Sequence, residues 1–172
     1  ERSLAPLSFH VDYWNHLGWT DPYSLTAWTD PPRQYARAIG DRVYTPELVV
    51  GGASSVIGSN LAAVTQAIQR APRPTRLAAT AAWSKDAVTI TATAPGDADV
   101  WVAVWEDGTR TKVLRGENSG ETLNNDRVVR RLERVAAAGQ TSSATVKLDP
   151  KWRATGAVAF AQGADRHITA SA

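Results

Sequence analysis

One short run limits the fold more than any other stretch of this chain. In Val100–Glu106, Val100, Val102 and Val104 fall on one side of an extended strand, and Trp101, Ala103 and Trp105 fall on the other. A strand that is apolar on both faces is stable only where both faces are covered. The run therefore predicts a central strand in a layered structure. Its surroundings read as antiparallel β: Leu77–Trp83, Ala87–Ala94, Thr111–Arg115, Ala144–Leu148, Gly156–Gln162 and His167–Ala170 are further strands. Lys85-Asp86 and Pro95-Gly96-Asp97 supply turns, and the polar stretch 116–126 reads as turn chemistry. Val128 to Ala138 fits two patterns. Val128, Val129, Leu132 and Val135 suit a helix, while Val128, Arg130, Leu132 and Arg134 alternate as in a strand.

The patterning differs before Pro72-Arg73-Pro74, which reads as a linker or sharp corner between a unit at 1–71 and a unit at 75–172. In the first unit, Leu4–Trp14 alternates: Leu7, Phe9, Val11 and Tyr13 share one face, so a strand is expected there. Asp30-Pro31 and Gly40 bracket a helix over Pro31–Ile39. Glu47–Val50 reads as a strand, Gly51-Gly52 as a turn and Ser54–Ile57 as the hairpin partner. Ser59 or Asn60 caps a second helix, with Leu61, Val64, Ile68 and Ala71 at helical spacing. The fold class expected is α/β followed by all-β.

Composition excludes several function classes. With 172 residues, 43% hydrophobic and 21% charged, the chain has the make-up of an ordinary folded protein rather than a disordered one. No apolar run approaches the ~20 residues of a bilayer-spanning helix. A net charge of +2 gives no footprint for nucleic acid. There is no cysteine, which removes disulfides, thiolate metal sites and cysteine nucleophiles. There is also no methionine and the chain begins at Glu1, so the expectation is a processed, trimmed or incomplete N-terminus.

Chemistry-bearing residues concentrate near the start. His10 and Asp12 are two apart on the expected strand and point the same way, with His16 close behind. Imidazole and carboxylate together suit zinc, yet no fourth ligand is legible, and a polar pair bonded internally at a strand end is the plainer reading. No metal and no cofactor are expected. The run Phe9 to Trp19 sets aromatics around polar groups, offering stacking surfaces or, equally, a plug for a small core. Tyr44-Thr45-Pro46 enters a strand, where trans proline is the default. Arg127, Arg130, Arg131 and Arg134 read as a solvated basic face, and Glu117 and Asn118 as turn residues with a remote claim on a site. Phosphate-binding glycine loops, the Gly-x-Ser-x-Gly elbow and His-Glu-x-x-His are missing from the sequence.

Taken together, Ser8-Phe9-His10-Val11-Asp12-Tyr13-Trp14, Leu17-Gly18-Trp19-x-Asp21-Pro22-Tyr23, Tyr35-Ala36-Arg37 and Val43 to Val50 resemble a bacterial family of secreted, thioredoxin-like proteins without an established function. Arg115-Gly116-Glu117-Asn118-x-Gly120-x-Thr122-Leu123 and Val128-Val129-Arg130 extend the resemblance over nearly the whole chain. It implies a truncated thioredoxin-like unit at 1–71 lacking the opening strand and the Cys-x-x-Cys helix, with Glu1 to Leu4 where that helix ends. It further implies a cis Thr45–Pro46 bond, a strand at 128–135, and a secreted or periplasmic location. The cleft it implies is lined by His10, Asp12, Tyr13, Trp14, Thr45 and Pro46, with an extended peptide or a protein thiol/disulfide as partner. Dithiol exchange needs a thiolate to attack and a second thiol to resolve, so this chain alone cannot perform it. The expectations are kinship with thiol–disulfide oxidoreductases, a non-catalytic peptide-binding module using the same cleft, or a carbohydrate- or envelope-binding β-unit on a thioredoxin-like scaffold.

Overall fold

A computed structural model describes residues 4–116 and 118–172. The chain is mostly β, with two α-helices and several antiparallel sheets. Helix α1 spans Asp30–Ile39, with Pro at its N-terminal positions and Gly40 in the left-handed conformation ending it. Strands β1 (Glu47–Val50) and β2 (Ser54–Ile57) form a hairpin over Gly51-Gly52, as the sequence predicts. Helix α2 (Leu61–Arg70) is capped by Asn60, whose side chain accepts from the Ala63 N–H.

The rest is a β-sandwich. One layer orders β10 (Thr141–Lys147), β5 (Ala87–Thr93) and β4 (Ala79–Trp83). The other orders β3 (Thr75–Arg76), β12 (Ile168–Ser171), β11 (Ala154–Gly163), β6 (Ala98–Asp107) and β9 (Val128–Ala136). Val88, Ile90, Val100, Val102, Val104 and Val146 share the core between the layers, all buried. The opposite face of the larger sheet, with Ala103, Val129 and Phe160, is covered by Trp28 and by Leu7, Phe9 and Val11 of the N-terminal stretch. Strand β6 therefore lies between β11 and β9 with both faces covered, which is what its two-sided apolar pattern demands. Residues from before and after Pro72-Arg73-Pro74 thus share one of the two apolar clusters.

Four local expectations are corrected. Leu4–Trp14 is not a continuous strand: it makes a single parallel bridge, Ser8 to Val128, and then turns into a 3-10 helix at Asn15–Leu17. Its alternation holds because Leu7, Phe9 and Val11 all face the second core, but beyond Ser8 no neighbouring strand pairs with it. Leu77–Trp83 is divided. Residues 75–77 bond to β12 and 79–83 to β5, so the chain crosses from one layer to the other at 77–78. Thr111–Arg115 shifts to β7 (Thr109–Lys112). Its partner β8 (Thr122–Asn125) comes from the stretch read as turn, since Thr-Leu-Asn-Asn shows no apolar alternation to reveal it. The ambiguous run at 128 is strand β9, placed there by pairing with β6. Among the described residues no helix is long and apolar enough to cross a membrane.

Two contacts bind the hairpin and α1 to the larger sheet. The Ile168 N–H donates to the Gly51 carbonyl at 2.9 Å. Gln162 donates its side-chain N–H to the Tyr35 hydroxyl at 2.8 Å and to the Arg166 carbonyl at 2.9 Å. Burial pushes the Tyr35 hydroxyl above its ordinary pKa, partly offset by the Gln162 bond and the Arg166 charge.

Candidate functional site

Strand β1 pairs only on one side. The Pro46 carbonyl accepts from the Gly58 N–H at 2.8 Å, and the Val50 carbonyl accepts from the Ala53 N–H at 3.1 Å. Backbone groups alternate along a strand, so Thr45, Glu47 and Val49 turn theirs to the other edge. No second strand meets that edge among the described residues. Across from it, Ser8 donates to the Arg127 carbonyl at 3.0 Å and accepts from the Val129 N–H at 2.9 Å. The same alternation turns the backbone groups of Leu7 and Phe9 away from β9. Residues 6–9 and 45–48 then form the two walls of one groove of about 760 Å³, closed by Asp107, Asp126 and Arg127. Among the described residues no backbone hydrogen bond joins the two walls.

The Thr45–Pro46 peptide bond at this groove is cis, as the resemblance implies. The Thr45 hydroxyl meets the Tyr13 hydroxyl at 3.3 Å and accepts from the Trp14 indole N–H at 3.3 Å. The two rings pack edge to face, with centroids 5.3 Å apart, and Trp14 stays half exposed. Tyr13, Trp14, Thr45 and Pro46 are thus assembled at one place.

His10 and Asp12 are engaged elsewhere. His10 Nδ1 lies 2.6 Å from Asp21 Oδ2, and its ring stands edge-on to Tyr23. Burial pushes the Asp21 carboxyl up, but the bonds from His10 and the Tyr23 N–H, with the charges of His10 and Arg130, outweigh it and leave Asp21 below its ordinary pKa. Asp12 accepts from the hydroxyls of Thr29 and Thr26, which hold it below the usual carboxylate range. The pair is therefore not bonded to each other. No group of three metal-ligating side chains occurs among the described residues.

Sequence reasoning passed over Glu47. It heads an apolar strand directly after Pro46, and the single charge before Leu-Val-Val was the available signal. One carboxylate oxygen, Oε1, is buried without a hydrogen-bond partner. Burial, and then the nearby Asp41 charge, push its carboxyl above the ordinary value. Arg127 was read as part of a solvated face. Instead it adopts a left-handed backbone (φ 49), its N–H donates to Asp107, and its guanidinium lies over the Trp105 ring at 5.4 Å.

The other arginines are likewise engaged. Arg130 stacks on Tyr23 at 5.1 Å and faces Glu106, Arg131 stacks on Trp152, and Arg134 pairs with Asp99. Arg131 and Arg134 stay exposed, as a solvated face requires, while Arg127 and Arg130 are half-buried. Asn118 lies in a turn, its carbonyl accepting from the Glu121 N–H, while Glu117 is outside the described residues. On the β-sandwich, Trp83 is half exposed, but no pair of strongly exposed tryptophans forms a stacking platform among the described residues.

The comparisons with known proteins reach this chain along most of its length. The crystal structure of an Agrobacterium tumefaciens protein, a structural genomics target, is similar at 27% identity and a TM-score of 0.68, covering 96% of this chain and 78% of that one. No curated protein matches. Residues 1–162 match the family described as "Protein of unknown function (DUF1223)". With nearly the whole chain inside that match, this protein belongs to the DUF1223 family.

Proposed function

We propose that this chain is a binding module that holds an extended peptide in the groove between residues 6–9 and β1. The observation that supports it is the groove between residues 6–9 and 45–48, across which no backbone hydrogen bond runs among the described residues. An extended peptide fills such a groove by joining as a strand, with main-chain hydrogen bonds giving affinity and side-chain pockets giving selectivity. The groove's volume lies within the range of ordinary ligand sites, roughly 300–1,000 Å³.

A thioredoxin-like relationship and a secreted or periplasmic setting belong to the same proposal. Support for them is the sequence resemblance, together with the chain order Thr45-Pro46, hairpin and helix. In that reading the partner is a protein thiol or disulfide segment, held here without exchange because the chain has no sulfur nucleophile.

Amide protection measured by NMR tests the proposal. Adding a seven-residue peptide of alternating valine and glutamine is expected to slow exchange at the Leu7, Phe9, Glu47 and Val49 amides. Unchanged exchange at all four, with saturating peptide, rejects strand addition. Insulin reduction by the same chain is expected to stay at background.

A further inference from the structure

From Leu48 to Lys85 the sequence carries no aspartate or glutamate, although the whole chain is nearly balanced in charge. Within that span, Arg70-Ala71-Pro72-Arg73-Pro74-Thr75-Arg76 spaces three arginines evenly. Pro72 and Pro74 hold themselves and the residue before each in extended backbone, and Ala71 shows it at φ −58, ψ 135. At about 3.1 Å per residue, such a segment sets successive arginines roughly 9 Å apart along the chain. All three are exposed. None of them enters an ion pair or a ring contact among the described residues, whereas Arg33, Arg127, Arg130, Arg131 and Arg134 all do.

The third arginine stands at a concavity of about 380 Å³. Arg76 and residues 77–80 line one side of it, and residues 91–93 of β5 line the other. The Thr93 N–H donates to the Ala78 carbonyl at 3.0 Å and joins the two sides. Thr80 pairs directly with Thr91 across β4 and β5, so their side chains share one face of that sheet. Thr93 follows on the same face, away from the buried Ile90 and Ala92. The Thr91 hydroxyl meets Ser143 at 2.7 Å and the Thr93 hydroxyl meets Thr141 at 2.9 Å, which leaves each with spare bonding capacity. The Thr80 hydroxyl bonds to nothing among the described residues.

Free guanidinium groups suit anions, and open hydroxyls suit uncharged polar groups. A row of the first running into a hollow lined by the second suits a ligand that carries both: sugar rings bearing acid groups. Bases of a nucleic acid would need an aromatic platform. Trp83, the aromatic residue of β4, pairs with the buried Val88 and so belongs to the opposite face of the sheet. An anionic membrane would meet no apolar anchor beside Arg76, because Leu77 is buried.

We propose that this stretch binds an acidic polysaccharide. Carboxylates along the sugar chain engage Arg70, Arg73 and Arg76, and the sugar beside Arg76 hydrogen-bonds to Thr80, Thr91 and Thr93. The site shares no lining residue with the groove at 6–9 and 45–48 and stands without it.

The probe is a galacturonic acid hexamer, compared with its methyl ester, with polyglutamate of similar charge and with phosphatidylglycerol vesicles. Titration calorimetry at pH 7 and low salt reads the affinities. The ester is expected to bind at least tenfold more weakly than the acid, and polyglutamate also more weakly. Arg76→Gln should weaken hexamer binding about tenfold, and Arg73→Gln about threefold because Arg73 stands in open solvent. Thr80→Val is exposed and favourable to a strand, so it should keep the native circular dichroism. It should weaken the hexamer about threefold and leave polyglutamate binding unchanged. In NMR spectra the hexamer should shift the amides of residues 78–80 and 91–93 and leave those of Leu7 and Glu47 in place.

Equal binding of acid and ester overturns the assignment, as does failure of the hexamer to bind. Polyglutamate bound as tightly as the hexamer, with Thr80→Val silent, overturns it in favour of a general polyanion surface. Vesicle binding that is lost in Arg73→Gln, without hexamer binding, overturns it in favour of a membrane surface.

Discussion

The His10 imidazole donates from Nδ1 to Asp21 Oδ2 across 2.6 Å, and this bond ties the two ends of the N-terminal loop together. Asp21 is held below its ordinary pKa and is therefore the anionic acceptor at neutral pH, which leaves the proton on Nδ1. The Leu25 N–H closes the same loop onto the His10 carbonyl at 3.1 Å. Both side chains are largely shielded, at 14% and 20% exposure, so water does little to replace the bond.

Asp21→Ala removes the acceptor for both His10 and the Tyr23 N–H. A loss of about 2–3 kcal/mol is expected, the range for a shielded bond to a charged group. The lowered carboxyl also fixes the sign of the pH effect. Its contribution is complete above the ordinary value of 3.8 and disappears as pH falls through the lower folded value. Urea unfolding from pH 7 to 2 should show this acid loss in the parent chain and a flatter profile in Asp21→Ala.

Gly52 cannot carry a side chain. A Cβ there would stand 1.8 Å from the Arg166 carbonyl oxygen, on a backbone at φ +75. Gly52→Ala is expected to cost roughly 3 kcal/mol or more, because the contact is with backbone and the conformation is disfavoured as well. Chemical denaturation measures the cost. Faster amide exchange at Ile168, which donates to Gly51, would locate it at the hairpin turn.

Gly156 is the floor under Trp105. A Cβ at Gly156 would lie 2.4 Å from Trp105 Cζ2, whose ring also carries the Arg127 guanidinium. Gly156→Ala should displace the indole at an overpacking cost of about 1–3 kcal/mol. A changed near-ultraviolet dichroism spectrum, with far-ultraviolet signal retained, is the expected signature. An unaltered spectrum and stability would contradict the packing described.

Glu47→Gln should stabilise the ligand-free protein at neutral pH. The folded carboxyl lies above its ordinary 4.5, so its favourable contribution is present below 4.5 and is lost as pH rises through the folded value. Glu47 is only partly buried, so solvent screening keeps the gain small. A rise in Tm of about 1–2 °C at pH 7 is expected, fading below pH 4. A lower Tm at pH 7 would contradict the desolvation of this carboxyl.

Local rules carried the sequence a long way for some elements and little way for others. Helix α1 is marked by Pro31 and Gly40, α2 by Asn60, and the β1–β2 hairpin by Gly51-Gly52, because each boundary depends on backbone geometry within a few residues. The two-sided apolar pattern of Val100–Glu106 determined that this strand is central, since no exposed arrangement could accommodate it. Alternation at Leu7, Phe9 and Val11 likewise fixed which side faces the core. It did not determine whether that stretch is a strand, because strand character requires a partner, and only Ser8 finds one. The polar β8 exists for the complementary reason: β7 lies beside it. Tyr13, Trp14, Thr45 and Pro46 were grouped by the family resemblance rather than by residue spacing, and they do meet, whereas His10 and Asp12 were drawn off by Asp21, Thr26 and Thr29. The groove between residues 6–9 and 45–48, and the desolvation of the Glu47 carboxyl, were decided only by tertiary structure. Pairing and burial are set by neighbours distant in the chain, which residue order alone does not bring together.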